Sequence, residues 1–312
     1  MQLNRRALRI ADRMRGESCR LNVAECFVDG ATILDCGVRA LGGIQAGLEM
    51  ARVCLADLAE VQLVPGDGDS LGLPRIQVVS DQPVAACMAS QYAGWQIQVG
   101  KFFAMGSGPM RAVYGKEKLY DDIGYRETAH HVVGVLETAR LPNEEVIHYL
   151  ADKLALPPNQ MTLLLAATRS LAGATQVVAR ALEMALHKLH ELGFDLKQVR
   201  AGQGSAPLPP PATDDLTALG RTNDAILYGG RVVLWVDADE DQVRQLGPKV
   251  PACASSDFGA LFTELFQRYQ DFYKMDPLLF SPAAVIFCNL RSGRTHAFGR
   301  TETQVLRRSF GM

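Results

Sequence analysis

Arg180 and Glu183 stand three residues apart in the run TQVVARALEMALHKLHEL (175–192), and His187 and His190 continue the series. The spacing predicts one helix from Thr175 to Leu192, stopped by Gly193. Val178, Leu182, Ala185, Leu189 and Leu192 would form its apolar stripe. Arg180, Glu183, His187 and His190 would share a second, polar face, because side chains three and four apart are neighbours on a helix. Periodicity alone favours a solvated face with an ion pair of about 0.3 kcal/mol. The chemical alternative is a face lining a cleft, where an arginine holds a glutamate ionised beside a fixed water and so makes a general base.

Other candidates are weaker. GKFFAMGSGPMRA (100–112) places Gly106, Ser107 and Gly108 before Pro109, which reads as an open-backbone loop able to cradle an anion, or as a plain Gly-Pro turn. It is neither a P-loop nor a dinucleotide fingerprint, since both the GK[ST] ending and the third glycine are missing. His130 and His131 are adjacent in a strand-like run and would point to opposite faces, so no metal centre is expected. The seven cysteines (19, 26, 36, 54, 87, 253 and 288) contain no C-x-x-C and read as small buried hydrophobes of a reducing compartment. No G-x-S-x-G elbow occurs.

The elements that must position these residues are mixed. Three hairpins are expected: AECFV-DG-ATILDCGV turning at Asp29-Gly30, AILY-GG-RVVLWVDAD turning at Gly229-Gly230, and AAVIFCNLR-SG-RTHAFG turning near Ser292-Gly293. Further strands are expected at 75–80, 95–100, 131–138 and 161–167. Helices are expected near the N-terminus (Leu3, Ala7, Leu8, Ala11 and Met14 at helical spacing), over Gly47–Glu60, from an Asn143 cap through EEVIHYLADKL, and from about Phe258 to Tyr273. The Gly/Pro/Ser-rich stretch 201–215 reads as a loop, either a surface connection or a wall beside a ligand. Hairpins mixed with helices give an α+β class of mixed α/β layers.

With 312 residues, two domains are the default. The limits suggested are 1–100, completed by a C-terminal hairpin at 275–312, and 101–274. A net charge of -2 without a basic stripe argues against nucleic acid as partner. No apolar run reaches the ~18 residues of a membrane span, and the arginine-bearing start lacks a secretory apolar core.

Several blocks, in order along nearly the whole chain, resemble the methenyltetrahydromethanopterin cyclohydrolase family. They are Ala31-Thr32 through LDCGV (34–38), AGW (93–95), VGKFFAMGSGPMRA (99–112), LPNEEV (141–146), SLAGATQVVARALE (170–183), RTNDAILYGG (221–230), PACASSDFG (251–259), DFYKMD (271–276) and SPAAV (281–285). Ala167-Thr168-Arg169-Ser170 departs from a Pro-Thr-Ala-Ser pattern, Leu55–Leu58 replaces a glycine-rich run, and 205–211 carries extra prolines. The resemblance implies two α/β domains side by side with a pocket between them, a homotrimer, and a cytoplasmic enzyme of one-carbon metabolism, as in formaldehyde oxidation or methanogenesis. It implies reversible hydrolysis of a cyclic amidine, 5,10-methenyl-tetrahydromethanopterin to the 5-formyl compound, with no metal and no cofactor beyond the pterin carrier itself. By the same resemblance Glu183 is the general base and Arg180 its partner. Gln91, Tyr92, Ala93, Gly94 and Trp95 would face the reacting carbon, and Gly106, Ser107, Gly108, Asn223 and Asp224 would help form the pterin pocket. A non-catalytic pterin-binding protein on the same scaffold is the alternative, and the retained Arg180 and Glu183 speak against it.

Overall fold

The computed structural model describes residues 2–270 and 274–312. The first part of the DFYKMD block, 271–273, therefore lies outside the described residues, as does the end of the helix expected to reach Tyr273. Twelve strands are described: β1 Ala24–Val28, β2 Ala31–Gly37, β3 Glu60–Val64, β4 Arg75–Ser80, β5 Trp95–Val99 and β6 Phe102–Ser107, then β7 Val132–Glu137, β8 Met161–Ala166, β9 Val199–Pro207, β10 Arg231–Val236, β11 Ala284–Asn289 and β12 Thr295–Gly299. The helices are α1 Leu3–Gly16, α2 Ser18–Leu21, α3 Ile44–Cys54, α4 Met110–Tyr114, α5 Leu119–Ile123 and α6 Glu144–Leu154, then α7 Leu171–Val178, α8 Ala181–Glu191, α9 Asp215–Gly229, α10 Glu240–Leu246, α11 Phe262–Tyr269 and α12 Thr303–Phe310. The class is α+β, with two mixed sheets.

The chain folds into two compact units, one of Met1–Ala59 with Ala85–Gln176, the other of Glu60–Val84 with Val177–Met312. It crosses between them three times, where the sequence suggested a cut near residue 100. The C-terminal hairpin does not return to the first unit. β11 pairs parallel with β10, so 284–299 extends the second unit's sheet.

In the first unit the strand order is β1-β2-β8-β7-β6-β5, with β2, β8 and β7 parallel. Strands covered on both faces need apolar residues on both, and β2 supplies them. Leu34 and Cys36 join α1 and α3 in one core, while Ile33 joins Val146, Ile147 and Leu150 of α6 in the other. Asp29 and Gly30 both take positive φ (47° and 85°), the primed turn that matches strand twist, as the Asp-Gly pair foretold. Asn143 caps α6 as expected, its side chain accepting from the Val146 amide at 3.2 Å. The stripe of α1 is buried at Leu3, Ala7, Ala11 and Met14, with Leu8 packed at its margin.

In the second unit the order is β12-β11-β10-β9-β4-β3, antiparallel except for β10 with β11. Four expectations change, three of them in this unit and one, at α3, in the first. AILY is the last part of α9, not a strand: Asp214 accepts from the Thr217 amide and starts a helix that runs to Gly229, so Gly229-Gly230 joins a helix to a strand. Only the second part of the 201–215 stretch is a loop: residues 201–207 lie in β9 between β10 and β4, and 208–214 lead on to α9. The helix expected over Gly47–Glu60 begins earlier and ends at Cys54. Ala56 and Asp57 take left-handed φ, their carbonyls receive Arg6, and β3 follows. The helix expected from Phe258 starts only at Phe262 and ends at Tyr269, with Gln270 left-handed.

Candidate active site

The expected single helix 175–192 is two. α7 ends at Val178 and α8 begins at Ala181 with Arg180 as its N-cap, at φ -94° and ψ 3°. Those angles fall in the sparsely allowed bridge region. The Arg180 amide donates to Val177 O, and its carbonyl accepts from the Met184 amide, so the break costs little backbone bonding. Glu183 lies in the first turn of α8, where the helix dipole favours a negative group.

α8 lies close against β9. A Cβ on Gly204 would stand 2.6 Å from Leu182 N and 2.8 Å from Leu182 Cβ, and one on Gly202 would stand 2.7 Å from Leu182 Cδ1. The two glycines therefore admit Leu182, the residue between Arg180 and Glu183, against the strand. This gives the Gly-rich composition of 201–207 its physical reason.

At its start the polar face is not solvated. Arg180 is 6% exposed and Glu183 4%, with Arg180 Nη1 3.9 Å from Glu183 Oε2. The rest of the face behaves differently. His187 and His190 are half-buried and stand 3.7 Å from Glu191. Taking two charges out of water costs several kcal/mol per ion even after relaxation, so a buried pair is weak evidence of stabilisation. A nearly buried carboxylate beside a guanidinium is a base able to take a proton from a water and a negative group able to face a cation.

The remaining candidates fall into two groups. In the first unit, Gln91–Trp95 and Gly106–Gly108 come together: Trp95 pairs with Gly106 across β5 and β6, and the Gly108 amide donates to Ser90 O at 2.9 Å. The open cradle expected at 106–109 is instead the buried end of β6. Ser107 Oγ donates to Val135 O, and Gly108 turns the chain with φ 86° into α4. Gln91 is buried, Tyr92, Ala93 and Gly94 are half-buried, and the Trp95 ring is a core group stacked on Tyr114 at 4.3 Å. In the second unit, Asp224 has both oxygens engaged, by the Phe262 amide and by Ser309 Oγ, and so ties α9 to α11 and α12. Asn223 is half-buried and donates to Leu219 O in its own helix.

His131 is held by Thr162 Oγ1 at 2.9 Å, and among the described residues no group of three His, Cys, Asp or Glu is placed to hold a metal ion. Cys36, Cys54 and Cys87 are buried as expected, and Cys26 and Cys288 are half-buried. Cys19 and Cys253 are exposed, against expectation.

The family described as Cyclohydrolase (MCH) matches residues 2–310. A methenyltetrahydromethanopterin cyclohydrolase from Rhodopirellula baltica is 46% identical over 291 residues, covering 91% of this chain and 87% of its own. One from Xanthobacter autotrophicus is 47% identical over 296 residues, covering 95% and 88%. One from Methanococcoides burtonii is 39% identical over 317 residues, covering 100% and 99%. The chain belongs to the cyclohydrolase family. Both of its candidate groups lie in blocks by which the sequence resembled that family.

One element of this cyclohydrolase was not anticipated. Val84–Gln91, which leads into Tyr92–Gly94, is a π-helix, in which the Tyr92 amide donates to Cys87 O five residues back. Such turns are rare and collect at functional sites. The run VAACMASQ holds no glycine, proline or capping pattern that would have signalled it. No helix of the described residues is long and apolar enough to cross a membrane.

Proposed function

We propose that this chain hydrolyses 5,10-methenyl-tetrahydromethanopterin to 5-formyl-tetrahydromethanopterin, reversibly, with Glu183 as general base and Arg180 as its partner. The substrate is named by the relatives; the observation that carries the assignment of roles is the nearly buried Arg180–Glu183 pair at the start of α8.

The chemistry asks for little. The bridging carbon of the methenyl group is electrophilic already, since its positive charge is shared with N5 and N10. A water oxygen bonds to that carbon while its proton passes to the Glu183 carboxylate. The carbon–N10 bond of the resulting carbinolamine then breaks, its electron pair taking to N10 the proton held by Glu183, while the hydroxyl gives up its own proton to solvent and the carbonyl forms as formyl on N5. Arg180 orients the carboxylate and offers donors to the oxygen that becomes the formyl group. The ionised carboxylate also attracts the cationic substrate. In this reading Tyr92–Gly94 present backbone groups to the reacting carbon, the chain works as a homotrimer, and the step belongs to cytoplasmic one-carbon metabolism.

The test is the loss of methenyl-pterin absorbance on adding purified protein, with methenyl-tetrahydrofolate as comparison. Turnover of the methanopterin form is expected, and its absence refutes the assignment. Glu183→Gln should still bind substrate yet lose about 100-fold or more in kcat. Near-normal turnover would remove Glu183 as the base.

A further inference from the structure

Arg111 is a cation with no exposure to solvent. Its Nη2 pairs with Glu117 Oε2, and its Nη1 lies 3.5 Å from Met88 O. The guanidinium is 4.7 Å from the centre of the Tyr92 ring and 5.4 Å from that of Tyr120. Tyr120 donates from its hydroxyl to Ala89 O at 3.0 Å, and burial pushes that phenol up, which keeps it a donor. Gly108 N supplies Ser90 O at 2.9 Å. Three consecutive carbonyls at the end of the π-helix, those of Met88, Ala89 and Ser90, are thus each met from outside the helix, by a guanidinium, a phenol and an amide. Helix-end carbonyls left unmet in a buried place would cost about 1–3 kcal/mol each.

The same cluster grips the residues that follow. A Cβ on Gly94 would meet the Tyr92 ring at 2.6 Å and Glu117 Oε2 at 2.9 Å. Tyr92, Gly94, Glu117 and Arg111 therefore form a closed ring of contacts around the half-buried backbone of 92–94. A buried ion pair is a poor source of stability compared with apolar packing of similar volume. An apolar residue at 111 could not, however, approach a carbonyl and face two rings at once, so geometry is the reason for a cation here.

We propose that Arg111, oriented by Glu117, is a positioning residue for the hydrolysis: it fixes the end of the π-helix and thereby the backbone of Tyr92–Gly94 against the substrate. This rests on the proposed function, which sets that backbone beside the reacting carbon. A misplacement of about 1 Å at such a contact is enough to lose about 100-fold in rate. Contacts that matter most in the transition state lower kcat when loosened, and KM much less.

Two measurements on wild type, Glu117→Gln and Arg111→Lys test it. Without substrate, amide hydrogen exchange over 84–95 should quicken at least about fivefold in both variants, with exchange in the helix 144–154 unchanged. With methenyl-tetrahydromethanopterin, kcat should fall about tenfold in Glu117→Gln and further in Arg111→Lys, with KM within about threefold. Arg111→Lys keeps the charge and loses the planar fork, so recovery of normal kcat by lysine would overturn the proposal. Unchanged exchange would overturn it, as would faster exchange with unchanged kcat. Should Arg111→Lys fail to fold, Glu117→Gln, whose side chain is 24% exposed and keeps its shape, decides by the same criteria. An inactive wild type would sink the functional reading and this inference with it; an active wild type with unaffected variants would sink this inference alone.

Discussion

The seat of α8 on β9 can be challenged by a single methyl group. In Gly204→Ala the new Cβ would meet Leu182 N at 2.6 Å and Leu182 Cα at 3.0 Å, both backbone atoms that no rotamer change can move. Ordinary contact begins near 3.4 Å, so the first turn of α8 must retreat by roughly 0.8 Å or β9 must bend by as much. Arg180 and Glu183 flank Leu182 and would travel with it. A displacement of this size at a catalytic base should cost about 100-fold in kcat/KM, equivalent to about 2.7 kcal/mol of transition-state stabilisation. Overpacking of this kind takes about 1–3 kcal/mol from stability, which a domain of ordinary stability survives folded. The control is Gly202→Ala, whose Cβ would have as its nearest atoms Leu182 Cδ1, Cδ2 and Cγ, the movable part of a side chain. It should lose no more than about tenfold in the same absorbance assay. If Gly204→Ala keeps its rate within threefold while denaturant titration shows an intact fold, or if Gly202→Ala is equally damaging, the base is not positioned by this seat.

Two buried groups predict how stability varies with pH. Burial pushes the Asp224 carboxyl up to about 7 against its hydrogen bonds from Ser309 and the Phe262 amide. A raised acid holds its proton in the folded state while the unfolded chain has released it, so its contribution is full below about pH 4 and is lost as pH rises through about 7. Asp224→Asn should therefore match wild type near pH 4 and exceed it at pH 8, on the order of 1–3 kcal/mol, in urea titrations at both pH values. A wild-type advantage at pH 8 would show that the ionised carboxylate is what holds α9, α11 and α12 together. Lys188 on α8 donates to Leu278 O, and burial holds its amine down to about 8. A depressed lysine is neutral in the folded state and charged in the unfolded one between about pH 8 and 10, so stability should rise with pH in that window. Lys188→Met should abolish the rise, and an unchanged slope would place its origin elsewhere.

Much of the first unit was legible because its signals are local. The Asp29-Gly30 turn needs two left-handed residues in sequence, and Asn143 needs only its own helix to act as a cap. The second unit was harder to read where composition and contact disagreed. AGQGSAP carries turn-forming residues, yet it is a strand in which Gly202 and Gly204 make room for Leu182, a contact about 20 residues away in sequence that composition does not display. Gly229-Gly230 imitates a hairpin turn, and only the Asp214 cap fifteen residues upstream reveals that the run before it is helical. At the candidate site the spacing of Arg180 and Glu183 was visible, but their burial was not, since the break at 179–180 contains neither glycine nor proline. Arg111 and Tyr120 gave no signal at all: their backbone partners lie 23 and 31 residues earlier in a helix of unexpected pitch.

The placement of Glu60–Val84 in the second unit has a consequence during synthesis. β3 and β4 leave the ribosome early, but β4 finds its neighbour only when β9 appears, about 120 residues later, or roughly 6–24 s at ordinary elongation rates. Through that interval the nascent hairpin offers an open strand edge bearing Ile76 and Val78, both wholly or almost wholly hidden in the finished protein. Val61, Ile76 and Val78 must wait without their cover, while the first unit, whose last residue is Gln176, can already fold. A holding chaperone would find a durable target in this short stretch, and a pause in translation between residues 80 and 199 would lengthen the exposure of a segment that carries none of the chemistry.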